Sequence, residues 1–415
     1  MWTEFLNEHQ QITRRHFCEL GAAAGVAWQL SPLAQAAERP QVLQTAIAKL
    51  EYLDRQNDFR DVSRGKPLPH SLPMEKMREV GLTRDTWKLE VIPDPDSNAD
   101  VRNPLTASKN TAFDFQQLLD LGKKHSVCIP KIMTCNNLAC PLGTGLWEGV
   151  PLRTVLWLTK PRKNIRRVFY HGFHNGDPQQ LFRSSLPIGR ILEDPPSLPP
   201  VILCYKLNGE FLTPQRGAPV RMVVPEMYGY KSIKWLTQVV LTNSYLPNDT
   251  YAKQNNDIDS ALKTFAATIS VPTSVMSGQP IPVTGYAQVG ISGLKKVQTW
   301  ISQADAPRPP GDPYFTRSDW QDAEILGPPS RWGGGLSEDR IPPRTIGINS
   351  DTGRPQRWPL PLAKAHWATL VPGLSAGKYV LRSRTIDANG IAQPLPRPFS
   401  KSGRNTIESV EFDVL

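Results

Sequence analysis

Apolar positions along this chain come in short runs, and few of them keep one period for long. Ala46, Ile47, Leu50 and Leu53 recur at helical spacing, which predicts one helix over 38–56. Residues 61–70 carry Arg64, Lys66 and two prolines, and read as an extended basic loop. Trp87 to Ile92 alternates as a strand. Phe115, Leu118, Leu119 and Leu121 place a short helix over 113–125, and Lys131 to Thr134 is a strand end that runs into Cys135. A helix is expected over 150–158, a strand over 166–172 and a helix-like segment from Ser185. Buried strands follow at 200–207, entering the Asn208-Gly209 turn, then at 216–225 and at 237–242.

The pattern changes near residue 262. Short alternating strands at 268–271, 281–289, 297–301, 366–370, 378–387 and 408–414 read as an immunoglobulin-like β-sandwich. Between them, 305–358 is rich in Pro, Gly and Arg without clear periodicity, and reads as an insertion or long loop outside the core. Helices and strands mix without a βαβ rhythm, so the fold class is α+β. The expected division is 1–36 as a leader, 37–261 as the first domain and 262–415 as the second.

Composition narrows the possibilities. The chain has 415 residues, 39% of them hydrophobic and 21% charged, and its 40 prolines favour loops over long helices. A net charge of +10 favours anionic partners, but the basic residues are scattered, which argues for a basic surface and against nucleic acid. Arg14-Arg15, a weakly apolar stretch from Leu20 to Leu30, and Ala34-Gln35-Ala36 follow one another as in a twin-arginine leader. That predicts export of the folded protein to the periplasm.

Removing the leader removes Cys18 and leaves Cys128, Cys135, Cys140 and Cys204, enough for two disulfides in any of three pairings. Zinc is disfavoured, since no His pair stands at finger spacing. Cys135, at a strand end before Asn136 and Asn137, is either a soft metal ligand or a structural thiol, free or bonded to Cys128 or Cys140. Arg64, Arg216, Arg221 and Lys234 lie in loops beside buried strands and together suggest a bound organic phosphate. Neither a P-loop nor a Rossmann glycine pattern is present.

The run from Tyr205-Lys-Leu-Asn208-Gly209 through Arg216-Gly217-Ala-Pro219-Val220-Arg221 to Ile233-Lys234-Trp235 resembles the molybdenum-cofactor domain of the sulfite oxidase family. Val62-Ser63-Arg64-Gly65-Lys66-Pro67 and Ser185-Leu186-Pro187 resemble further segments of it, and 386–394 with 405–410 resembles its dimerisation domain. The resemblance implies a mixed α/β molybdopterin-binding domain followed by the β-sandwich. It also implies a molybdenum–molybdopterin cofactor with Cys135 as the metal ligand. Ser63, Arg64, Gly65, Lys66, His174, Arg216, Arg221, Ser232 and Lys234 would bind the cofactor, and Cys135, Arg64 and Phe182 would face the reaction.

The activity it implies is oxygen-atom transfer on a small sulfur oxyanion or related substrate. Electrons would pass to a separate carrier such as a cytochrome c, and the protein would be a homodimer. No CxxCH or His-Pro-Gly-Gly haem signature occurs in the chain. Two positions depart from sulfite-oxidising members: Phe182 stands where they have Tyr, and Cys140 where they have Arg. Lys401 and Arg404 are the nearest counterparts of a further substrate cation. A sulfoxide or other oxo-substrate reductase is therefore the alternative, and an exported non-enzymatic binding protein or inactive relative is the alternative of another class.

Overall fold

The computed structural model describes residues 39–137, 141–195, 198–259, 261–307, 310–394, 399–403 and 405–415. The leader, Cys140 and Arg404 lie outside the described residues. The first half contributes β1 (Lys88–Pro93), β2 (Phe113–Asp114), β3 (Val127–Thr134), β4 (Pro141–Pro151), β5 (Arg167–Gly172) and β6 (Arg183–Pro187). It continues with β7 (Ile202–Leu207), β8 (Glu210–Phe211), β9 (Arg221–Val223) and β10 (Leu236–Thr242). Among the described residues these form two mixed-length sheets, one ordered β2-β1-β10-β5-β6 and one ordered β3-β4-β7-β8 with β9 on β7.

Leu89, Val91, Val168, Leu186, Leu203, Val220 and Val239 share one core with Trp87, whose indole N–H is satisfied by the Leu236 carbonyl at 2.7 Å. The helix Phe115–His125 packs Leu118 into that core and starts with a capping box between Asp114 and Gln117.

The second half contributes β11 (Phe265–Ser270), β12 (Ser274–Val275), β13 (Ile281–Gln288), β14 (Lys296–Gln303), β15 (Gln321–Ile325), β16 (Lys364–Val371), β17 (Gly377–Ile386) and β18 (Glu408–Val414). Their order is β11-β13-β16-β15-β14-β17-β18-β12. β15 pairs with β14 through Gln321–Ala323 and with β16 through Glu324 and Ile325, so it crosses from one layer to the other. Ala266, Ile281, Val283 and Ala287 of one layer meet Val297, Leu381, Phe412 and Val414 of the other. The α+β fold with a closing β-sandwich is thus as the pattern predicts.

Several local expectations change. The helix over 38–56 is only Gln41–Ile47. Beyond it the Leu53 amide bonds the Trp332 carbonyl and the Asp54 amide bonds Thr144, so tertiary backbone bonds replace the later helical turns. The segment from Ser185 starts inside β6, and its helix is Ile188–Leu192. Residues 150–151 finish β4 before the helix Leu152–Leu158 begins. The strand expected over 216–225 is only Arg221–Val223, preceded by a 3-10 turn at Pro214–Arg216.

Residues 305–358 do not stay out of the core. They hold β15, and Trp332 and Ile348 are buried with Tyr52, Leu53, Cys128 and Leu146 of the first half. Cys128, Cys135 and Cys204 are free thiols, so no disulfide joins them. Burial pushes the Cys128 thiol up to about 12 and raises Cys204 further, which makes both inert packing groups.

Candidate active site

Three elements converge on one cavity of about 530 Å³. β3 ends at Thr134 and delivers the half-buried Cys135 to its wall. The 214–235 run delivers Arg216, Arg221, Ser232 and Lys234, and the 61–64 loop delivers Ser63 and Arg64. β3 is held in place by Lys131. Its ammonium is fully buried and donates to the Pro225 and Met227 carbonyls at 2.6 and 2.9 Å. Burial lowers the Lys131 pKa to about 7.

Glycines permit the close approach of the run. Gly217 has φ +101°, and a Cβ there would stand 2.9 Å from Cβ and Cγ of Lys234. Gly172, at the end of β5, is pressed against the Lys234 carbonyl with no room for a Cβ.

The electrostatics are one-sided. Arg221 is 4% exposed and donates to the Arg216 carbonyl at 3.0 Å and the Ser232 carbonyl at 2.6 Å, but its Nε is buried without a partner. Arg216 is 2% exposed, and its Nε and Nη2 have no partner either. Both guanidiniums lean on aromatic rings, Arg221 on Trp147 at 5.0 Å and Arg216 on Phe59 at 5.8 Å. Burial lowers Arg221 to about 10 and also lowers Arg216.

Lys234 donates to Asp61 at 2.9 Å, to the Ser63 hydroxyl at 2.7 Å and to the Gln215 carbonyl at 2.7 Å. Burial, reinforced by Arg221, lowers the Lys234 pKa to about 7. Burial alone would raise the Asp61 carboxyl, but the Ser63 hydroxyl and Lys234 outweigh it and hold the group well below the usual carboxylate range. Lys234 and Arg216 therefore share the charge of one half-buried carboxylate, Asp61. Three orphaned N–H groups on Arg216 and Arg221 leave a hole in the hydrogen-bonding account that a phosphorylated, many-acceptor ligand would fill.

Not every expected residue reaches the wall. Gly65, Lys66 and His174 sit just behind it, in a seam where Gln180 accepts from the Lys66 amide at 2.8 Å and Asn175 donates to the Pro67 carbonyl at 2.9 Å. His174 packs edge-on against His171 at 5.6 Å and faces the Gly172 carbonyl. Phe182 is in the wall, with the Arg64 guanidinium over its ring at 4.8 Å.

Residues that pattern reasoning missed are also there: Phe59, Tyr230, Tyr251 and Gln254 line the cavity. Nothing in their local sequence marks them, since each is brought in by long-range packing. Lys401 of the second half closes the same wall, 5.2 Å over the Tyr251 ring. Among the described residues no three His, Cys, Asp or Glu side chains cluster as a metal site. Cys135 offers a metal one soft thiolate donor.

Comparisons with known proteins agree with this geometry. Residues 81–250 match the oxidoreductase molybdopterin-binding domain family. A nitrate reductase [NADPH] of Neurospora crassa is 35% identical over 162 residues, which are 34% of this chain and 16% of that protein. An inducible nitrate reductase [NADH] of Glycine max is 32% identical over 127 residues, 29% of this chain and 14% of that protein. A nitrate reductase [NADPH] of Beauveria bassiana is 29% identical over 113 residues, covering 27% of this chain and 12% of that protein.

The matched stretches thus span only a small fraction of those relatives' length. The sulfane dehydrogenase SoxCD of Paracoccus pantotrophus shares the fold, with a TM-score of 0.54 at 15% identity over 94% of this chain and 96% of that one. Residues 81–250 therefore resemble a molybdopterin-binding oxidoreductase domain, and a β-sandwich follows them.

Proposed function

We propose that the protein catalyses molybdenum-dependent oxygen-atom transfer on a small sulfur oxyanion or related substrate and passes the electrons to a separate carrier. The observation that carries the reading is the buried Arg216–Arg221–Lys234 cluster with its orphaned N–H groups, in the same cavity as the Cys135 thiol. The residues present fit the cofactor. Arg216, Arg221, Ser63, Ser232 and Lys234 would hold the phosphorylated pterin, and Cys135 would supply the protein's own donor to the metal. When bound, the group supplies two-electron oxygen-atom exchange.

The chain's own residues do the rest. Asp61 opposes the loss of charge on Lys234 that burial imposes, at the distances given above. Arg64 and Lys401 provide positive charge at the mouth, where an oxyanion would enter. Phe59, Trp147 and Trp235 exclude water from the inner wall. Gly65, Lys66 and His174 support the wall from behind. One named relative is a nitrate reductase, whose substrate is an oxyanion.

A second reading, reduction of a sulfoxide or another oxo substrate, is favoured by Phe182, which brings an apolar ring where a hydroxyl would bind an oxyanion. Export through the twin-arginine route, a periplasmic location, a cytochrome c as electron partner and a homodimer through the β-sandwich complete the proposal. They rest on Arg14-Arg15 and on the resemblance of 386–394 and 405–410. Dye-linked assays separate the readings. Sulfite-dependent reduction of an electron acceptor is expected for the first, and sulfoxide-dependent oxidation of a reduced dye for the second. Neither activity in molybdenum-loaded protein would contradict both.

A further inference from the structure

The outer half of the cavity is aromatic in a way that anion binding alone does not require. Tyr251 is its hub. Its ring meets Phe182 edge-on at 5.3 Å and Tyr230 at 5.4 Å, and Lys401 lies over it. The Tyr230 hydroxyl is used up on the Asp257 and Ile258 carbonyls, at 2.9 and 2.6 Å, so this residue offers the cavity its ring. The Tyr251 hydroxyl accepts from Asn137 at 3.3 Å, which ties the ring to the loop that follows Cys135. Asp249, two residues before Tyr251, is buried and bonded to Lys231 at 2.6 Å and to Ser184 at 3.1 Å. The hub is therefore fixed to the same 3-10 turn, Gly229–Lys231, that precedes the cofactor-side Ser232.

Such a wall treats two kinds of substrate differently. A small inorganic oxyanion gains from Arg64 and Lys401 but nothing from ring faces, whose negative quadrupole disfavours it. An organic anion with a flat apolar body gains from both. We propose that Phe182, Tyr230 and Tyr251, with Arg64 and Lys401 on their faces, select a substrate with a planar or apolar organic body and one anionic or oxo-bearing head group over a bare inorganic oxyanion. This rests on the cavity being the catalytic chamber of the proposed molybdenum chemistry, and within it favours the oxo-substrate reading over an inorganic oxyanion such as sulfite.

The test is calorimetric titration of the purified holoprotein with benzenesulfonate, methanesulfonate and sulfate, none of which turns over. Benzenesulfonate is expected to bind about tenfold more tightly than methanesulfonate or sulfate. Tyr251→Ala should bring the three within about twofold of each other, and Tyr251→Phe should keep the preference. Phe182→Leu, a milder change, should reduce the preference if Tyr251→Ala fails to fold. Equal binding by the wild type, or sulfate bound most tightly, would overturn the proposal. So would a folded Tyr251→Ala with unchanged molybdenum content that keeps the preference. Protein that lacks molybdenum yet still prefers benzenesulfonate would sink the proposed function and leave the aromatic selection standing.

Discussion

Lys234 is the residue on which charge and the proposed cofactor binding meet. Its pKa, lowered by burial to about 7, makes the cluster's affinity for anions depend on pH in the neutral range. Sulfate does not titrate there, so it reports the protein's own groups. Binding of sulfate to apoprotein should weaken by about an order of magnitude from pH 6 to pH 9. Lys234→Arg should flatten that dependence, and a flat profile in the wild type would show the lysine to be ordinary.

Asp61 has the opposite sign. Its folded pKa is depressed, so the stability it contributes is complete above the unfolded value of 3.8 and is lost as pH falls below it. The stability gap between wild type and Asp61→Asn in urea titrations should therefore be constant between about pH 5 and pH 6, below the Lys234 titration, and shrink below about pH 4. Arg216, Arg221 and Lys234 were legible in the sequence because they fall within one run and have the side chains that phosphate needs. Asp61 was not singled out, since a single carboxylate in a loop has no pattern until its lysine is placed beside it.

At the level of elements, the β7–β10 run works because its backbone departs from strand geometry where the cations must turn inward. Proline and glycine mark these places. The 3-10 turn at Pro214–Arg216 ends in Gly217 with φ +101°, which shortens the strand expected over 216–225 to Arg221–Val223. Gly217→Ala should cost about 1–3 kcal/mol and shift Lys234. The readouts are the thermal midpoint and pterin fluorescence of the purified protein, and a midpoint unchanged from wild type would contradict the strain argument.

Element types were legible where one period held, as in Phe115–His125 and Lys364–Val371. They were misread at 38–56, where helical spacing continues but Leu53 and Asp54 bond to other segments. Spacing records a side-chain face, and it cannot record which backbone partner competes for the amide.

The molecule as a whole is stitched across its two halves behind the site. Thr134, one residue before Cys135, donates to Gln288 of β13 at 2.5 Å, and the Ile132 amide bonds the Leu362 carbonyl. Asn208 donates to the Gly334 carbonyl at 2.9 Å, so 305–358 wedges between the halves. That wedge was hidden from the sequence because its contacts carry no period, although Trp332 and Trp358 were visible as large apolar residues in a polar stretch. Thr134→Val should cost about 1–3 kcal/mol by leaving the Gln288 carbonyl oxygen alone, and Gln288→Leu should cost more, since it strands the Lys263 carbonyl as well as the Thr134 hydroxyl. The double variant should cost less than their sum, and strict additivity would remove the proposed link between sandwich and site.

The central claim is that Cys135 and the cation cluster hold a molybdenum–molybdopterin group. Metal analysis of protein from a host that makes molybdopterin tests it most directly, comparing wild type with Cys135→Ser. The account predicts close to one molybdenum per chain in the wild type and a large loss in the variant, with the β-sheet circular dichroism unchanged. Wild-type protein without molybdenum, or a folded Cys135→Ser variant that keeps its metal, would contradict it.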